Sequence, residues 1–177
     1  SVTSVGIAIS MYMGLRIGEV CALQWKEIDL EKRVLTVSKT IQRVQCRTGS
    51  KQTKLIITEP KSESSKRTIP IPDCLLPLLR RFKDNGEVYV VSGRKKPVEP
   101  RTMQYRFAKI LHNADLPSFH YHSLRHLFAT RCVELGFDVK TLSEILGHSS
   151  VEVTLNRYIH SDMERKRTCM SLLSKCA

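Results

Sequence analysis

Between residues 33 and 71 the apolar side chains stop recurring at three- and four-residue steps and become strand-like, and beyond 71 the helical spacing returns. That single switch and return excludes an all-helical bundle and a repeated strand–helix array. It predicts an α+β chain, mainly helical, with one small antiparallel sheet inserted after the first helix. The strand-like runs are Val34-Leu-Thr-Val37, Thr40-Ile-Gln-Arg-Val44, Thr53-Lys-Leu-Ile-Ile-Thr58 and Arg67-Thr-Ile-Pro-Ile71, with turns at Thr48-Gly49-Ser50 and from Pro60 to Ser65. A sheet of three strands is expected from them.

Ahead of the sheet, residues 3–24 read as one helix, with Val5, Ile9, Met13, Ile17, Val20 and Leu23 on its apolar face. Gly14 and Gly18 interrupt it, each at a cost of about 1 kcal/mol against Ala. Either something approaches the backbone closely there, or the helix breaks to present Arg16; Glu19 is placed to pair with that arginine. After the sheet, residues 73–83 form a short helix capped by Asp73, with Leu75, Leu76, Leu78, Leu79 and Phe82 inward. A helix from about Arg101 to Asn113 has Met103, Phe107, Ile110 and Leu111 as its core face. Another runs from His122 to a Gly136 cap, with Leu124, Leu127, Phe128 and Cys132 as its stripe. Val139 to Leu146 is a short helix stopped by Gly147, and Val151 begins one that includes Thr154 and Tyr158. The expected organisation is one domain over 1–160 and a tail helix over 161–177. Because the chain opens on Ser1 inside a helix, it reads as a fragment whose N-terminal part is missing.

The charge bounds the partners. Twenty-nine Lys and Arg against 17 Asp and Glu give a formal +12, which favours a polyanion, nucleic acid ahead of anionic lipid. A membrane is the weaker choice, since there is no basic amphipathic helix with an aromatic face and no apolar run of about 18 residues. The six cysteines form no C-x-x-C pair and several sit in apolar helical patterns, which points to a reducing compartment.

Six polar residues stand out as a set: Arg16, Lys61, His122, Arg125, His148 and Tyr158. Breaking a phosphodiester without a metal requires a nucleophile, cationic donors on the two non-bridging oxygens, and an acid for the departing 5′ oxygen. A tyrosine supplies the first, and the aryl phosphate it forms retains enough bond energy for rejoining. Arginine forks stay charged and donate in pairs. Histidine and lysine move protons near neutral pH. Two other readings compete. His122 and His126, four apart on a helix, have the spacing of a zinc pair, but no Glu adjoins the first and Arg125 would oppose a cation. Residues 138–158 also have the helix–Gly turn–helix outline of a DNA reader without chemistry, which accounts for the charge and leaves His122-Ser-Leu-Arg-His126 unexplained. His112, His120 and His160 have no comparable setting.

Taken in order, Gly14-Leu-Arg-Ile-Gly-Glu19, Pro60-Lys61 ahead of Ser65-Lys-Arg-Thr-Ile-Pro70, His122-Ser-Leu-Arg-His126, Leu146-Gly-His148 and Asn156-Arg-Tyr158 resemble the tyrosine recombinases, the phage integrase family. The resemblance covers nearly the whole chain and corresponds to that family's C-terminal catalytic domain, most like integrases of phages and conjugative transposons. It implies the DNA breaking–rejoining fold and a role for each residue. Tyr158 attacks the scissile phosphate and leaves a 3′-phosphotyrosyl link; Arg16 and Arg125 hold the non-bridging oxygens. Lys61 is the general acid, ranked ahead of Lys66 and Arg67 by the Pro-Lys-x-x-x-Ser-x-Arg pattern. His122 assists proton transfer and His148 bonds the phosphate. It further implies no cofactor and no metal, double-stranded attachment-site DNA as partner, a homotetramer on two duplexes and accessory DNA-bending proteins. The setting it implies is the bacterial cytoplasm, on DNA. The core-binding and arm-binding domains of that family lie outside this sequence. The tail has two readings, docking on a neighbouring protomer or packing on its own domain.

Overall fold

The helix expected over 3–24 is two helices separated by an irregular step. In the computed structural model, which describes residues 1–45, 53–59 and 65–158 (side chains to 154) and positions 163, 167, 170 and 171, α1 spans Val2–Met13 and α2 Ile17–Ala22. Gly14 ends α1 in the left-handed region at φ 68°, and Arg16 is extended as the N-cap of α2. Both readings of the glycines hold. A Cβ on Gly14 would lie 2.4 Å from the Phe128 ring, and one on Gly18 would lie 2.6 Å from the Ile41 carbonyl.

The sheet departs from expectation. Strands β1 (Ile28–Asp29), β2 (Val34–Val37) and β5 (Arg67–Pro70) form an antiparallel three-stranded sheet in the order β1–β2–β5. Among the described residues, strands β3 (Thr40–Gln45) and β4 (Thr53–Thr58) pair only with each other. In register, Val34 faces Pro70 and Leu35 faces Ile69, so two strands about thirty residues apart in sequence are neighbours and the hairpin is an insertion between them. The hairpin buries little: Ile41 is its one fully buried side chain among the described residues. Strand β1, two residues long, carries too short a pattern to be read from sequence.

Helices α3 (Leu76–Phe82), α4 (Pro100–Asn113), α5 (Ser123–Glu134), α6 (Val139–Leu146) and α7 (Val151–Tyr158) follow. Asp73 does not cap α3. It sits in a 3₁₀ turn and accepts a hydrogen bond from Arg33 at 2.9 Å, while Pro77 in the first turn starts the helix. Leu127 and Ile110, expected inward, are exposed. Gly136, with φ 82°, closes α5 as expected, and the Phe137 N–H donates to the Cys132 carbonyl.

Helix α1 is the axis of the main core, with Val5, Ile9 and Met13 all but inaccessible. A smaller core of Ala129, Cys132, Val133, Leu142 and Leu146 joins α5 to α6, with Phe128 packed on it. The start of α5 is tied to α1 through Tyr121. Its hydroxyl is 2.9 Å from Ser10 Oγ and 3.2 Å from the Gly6 carbonyl, and its ring packs edge-on to Phe107. Cys21, Cys74 and Cys132 are free thiols; Cys46, Cys169 and Cys176 lie outside the described residues. Among the described residues no helix is long and apolar enough to cross a membrane.

Candidate active site

An α-helix leaves its last carbonyls without intrahelical donors, and each must be satisfied some other way if it is buried. At the end of α6 every one is accounted for. Asp138 opens the helix by accepting from the Thr141 N–H, and Gly147, at φ 63°, reverses the chain beyond it. That reversal aims the Gly147 N–H at the Glu144 carbonyl and the His148 N–H at the Ser143 carbonyl. The next three carbonyls in sequence each receive a different arginine. Arg67 Nε donates to Ile145 O at 2.6 Å, Arg125 Nη2 to Leu146 O at 2.7 Å, and Arg16 Nη2 to Gly147 O at 3.0 Å. Cations also suit the negative end of a helix dipole.

Three remote segments therefore converge on one turn. Arg16 comes from the break between α1 and α2. Arg125 comes from α5, is itself buried, and also donates to Gly14 O at 2.8 Å, so it fastens the end of α1 to the end of α6. Arg67 comes from the first residue of β5. Its two Nη atoms reach Glu19 Oε1 and Oε2 at 3.1 and 3.0 Å, and Nη1 also donates to Ser65 O.

Glu19 is the hub. It is 4% exposed and takes four hydrogen bonds, two from Arg67, one from Arg16 Nη1 at 2.9 Å and one from the Arg16 backbone N–H at 2.8 Å. Burial pushes its pKa up, but the hydrogen bonds and charge of Arg67, with those of Arg16, outweigh it and hold the carboxyl below its ordinary value. The ion pair expected between Arg16 and Glu19 is present; the larger partner of Glu19 is Arg67.

His148, on the turn itself, is fixed through its ring: Nδ1 lies 2.7 Å from Oγ1 of Thr154, which is fully buried in α7. His122 is exposed at the N-cap of α5, one turn before Arg125, and its ring meets that of His126 edge-on at 4.6 Å. The structure thus brings Arg16, Arg125 and His148 together around Gly147. Tyr158 ends α7 with its side chain outside the described residues, and Lys61 lies outside them altogether. Among the described residues no group of three His, Cys, Asp or Glu is placed to hold a metal. A cavity of about 330 Å³ opens beside the turn, lined by Lys66, Lys140, Glu144 and His148 among others, with basic residues outnumbering the one carboxylate.

Two residues here escaped sequence reasoning. Arg67 stood only as an ambiguous neighbour of Lys61, yet strand alternation puts it on the same face as buried Ile69, a signal that it points inward. Thr154 carried no such signal.

Residues 3–165 match the phage integrase family. A XerC-like tyrosine recombinase of Caldanaerobacter subterraneus is 33% identical, over 91% of this chain and 46% of its own length. A prophage phiRv2 integrase of Mycobacterium tuberculosis is 30% identical over 97% of this chain and 46% of its own. The Tn1549 transposon integrase, solved in complex with transposon right-end DNA, superposes with a TM-score of 0.73 at 27% identity, covering 96% of this chain and 58% of that one. XerA recombinase shares the fold, with a TM-score of 0.64 at 21% identity. The chain spans about half the length of the curated relatives it matches.

Proposed function

The chain belongs to the phage integrase family, and from that premise we propose that it breaks and rejoins DNA at specific sites through a covalent tyrosyl intermediate, in the integration or excision of a mobile element. The observation that carries this reading is the convergence of Arg16, Arg125 and the Gly147–His148 turn from three separate parts of the chain. Held on adjacent carbonyls, Arg16 and Arg125 are positioned before any substrate arrives, and such preorganisation is what makes cationic donors effective on a phosphate transition state.

In the proposed reaction the Tyr158 oxygen attacks phosphorus as its proton leaves, with His122 assisting that transfer. The bond from phosphorus to the 5′ oxygen breaks, Lys61 protonates that oxygen, and a 3′-phosphotyrosyl link remains. Arg16 and Arg125 neutralise the non-bridging oxygens of the transition state, and His148 hydrogen-bonds the phosphate. Rejoining is the reverse step with a 5′-hydroxyl as nucleophile. The phosphotyrosyl link conserves the bond energy, so no cofactor is consumed. The substrate is double-stranded attachment-site DNA, in line with the DNA-bound state of the Tn1549 integrase and with the +12 charge. A homotetramer on two duplexes, with accessory DNA-bending proteins, is the assembly, and the bacterial cytoplasm the setting. The tail beyond 160 either docks on a neighbouring protomer or packs on its own domain.

The test is a denaturing gel. The intact protein is incubated, with EDTA present, with a pool of duplexes nicked so that rejoining is blocked. A covalent protein–DNA band that disappears in Tyr158→Phe is the expected result. Retention of DNA without any band would favour a reader built on α6 and α7 instead.

A further inference from the structure

Three segments that carry the proposed catalytic groups meet at one side chain that carries no proposed chemistry. Arg67 spends Nε on the Ile145 carbonyl, forks both Nη atoms onto Glu19, and bonds the Ser65 carbonyl, with a side chain only 7% exposed. On its far side, Glu19 holds both the guanidinium and the backbone N–H of Arg16. On its near side lies Gly147, where a Cβ would stand 2.7 Å from Arg67 Nη1 and 3.1 Å from Cδ. The fit of Arg67 against the turn thus depends on glycine at 147, and the place of Arg16 depends on the carboxylate that Arg67 grips. We propose that Arg67 is a positioning residue for DNA cleavage: it sets Arg16 through Glu19, and the Gly147–His148 turn through the Ile145 carbonyl. This rests on the recombinase reading above.

The chemistry of the guanidinium makes the inference testable. Lysine keeps the charge but has one nitrogen, so it cannot grip both Glu19 oxygens and reach Ile145 O together. A merely architectural arginine, once weakened, lowers stability, DNA binding and cleavage in parallel. A positioning arginine lowers the cleavage rate at saturating DNA and leaves half-saturation alone, because small misplacements of a catalytic group are felt mainly in the transition state.

The experiment measures single-turnover covalent adduct formation by the intact protein on a nicked duplex recovered from the pool above, across DNA concentrations, with melting temperatures recorded in parallel. For Arg67→Lys the expected result is a saturating rate down by more than about tenfold with half-saturation within about twofold. Gly147→Ala presses on the same guanidinium from the other side, at Nη1, and its φ of 63° also strains a β-carbon; it is expected to show the same split at a lower melting temperature. An unchanged saturating rate in Arg67→Lys overturns the proposal. So does a parallel loss of melting temperature, half-saturation and rate in both variants, which makes Arg67 architectural only. Failure of the recombinase reading is seen separately, as absence of adduct with the unsubstituted protein or its persistence in Tyr158→Phe.

Discussion

Two arginine–carboxylate forks in this molecule have nearly the same drawing and opposite settings. Arg67 and Glu19 meet at 3.0 to 3.1 Å with side chains 7% and 4% exposed, inside a junction of three segments. Arg43 and Glu99 meet more tightly, at 2.6 and 2.7 Å, but with side chains 47% and 25% exposed. The shorter bonds belong to the less important pair. In water both partners of a surface fork are already solvated, so the pair contributes little beyond what the solvent gave. In the interior neither partner has an alternative, so losing one strands the other. Distance alone does not rank ion pairs; what each partner faces when the other is removed does.

The largest expected effect follows directly. Glu19→Ala strands the buried Arg67 guanidinium beside that of the partly exposed Arg16, and its cost to stability should be about 3–5 kcal/mol, read as a shift of the urea midpoint at constant slope. A shift comparable to that of a surface carboxylate would break the comparison. Tyr121→Phe sharpens it by separating burial from charge. It removes a buried neutral hydroxyl shared by Ser10 and Gly6, and the expected cost is about 1–3 kcal/mol, below that of Glu19→Ala in the same titration.

How much of this was legible beforehand depends on whether the partner was a side chain or a backbone atom. The helix break at Gly14, the closing glycines at 136 and 147, and the Arg16–Glu19 pair are written in residue types at short spacing, and the sequence carries them. The match of Arg125 to the carbonyls of Gly14 and Leu146 is not, because backbone oxygens have no sequence signature. The β2–β5 pairing was hidden by the hairpin inserted between the two strands, which reads as more of the same sheet. Leu127 and Ile110 follow the helical period but stay exposed, since period identifies a face and not what covers it. Lys61 and the Tyr158 side chain lie outside the described residues, so their roles rest on the family motifs.

Acid separates the pairs next. The folded pKa of Glu19 is held below its ordinary value: burial raises it, and Arg67 and Arg16 more than offset that. A carboxyl with a depressed folded pKa contributes stability that is fully present above its unfolded pKa and is lost as pH falls through the folded one. The wild-type protein should therefore lose stability as pH falls below the ordinary carboxylate range, and that slope should flatten in Glu19→Ala. Salt should leave the Glu19 contribution largely intact, because little ionic atmosphere reaches a buried pair. An equal loss in both proteins on acidification would assign the slope to surface carboxylates.

The smallest expected effect lies at the surface fork, where its location tells more than its size. Arg43 is on β3 and Glu99 is the N-cap of α4, so the pair ties the inserted hairpin to the helical body. Glu99 is held below its ordinary pKa chiefly by its hydrogen bond from Arg43, as expected of a formed pair. Yet the hairpin contributes only Ile41 to the buried core among the described residues, so little of the global unfolding free energy passes through it. Arg43→Ala should leave the urea midpoint where it was. What should change is local: amide exchange in β3 and β4 should quicken while α1 and α5 keep their protection, because a weakly anchored unit opens without the rest. Should α1 exchange quicken as well, the hairpin would be part of the main cooperative unit, and the surface fork would carry more than its exposure implies.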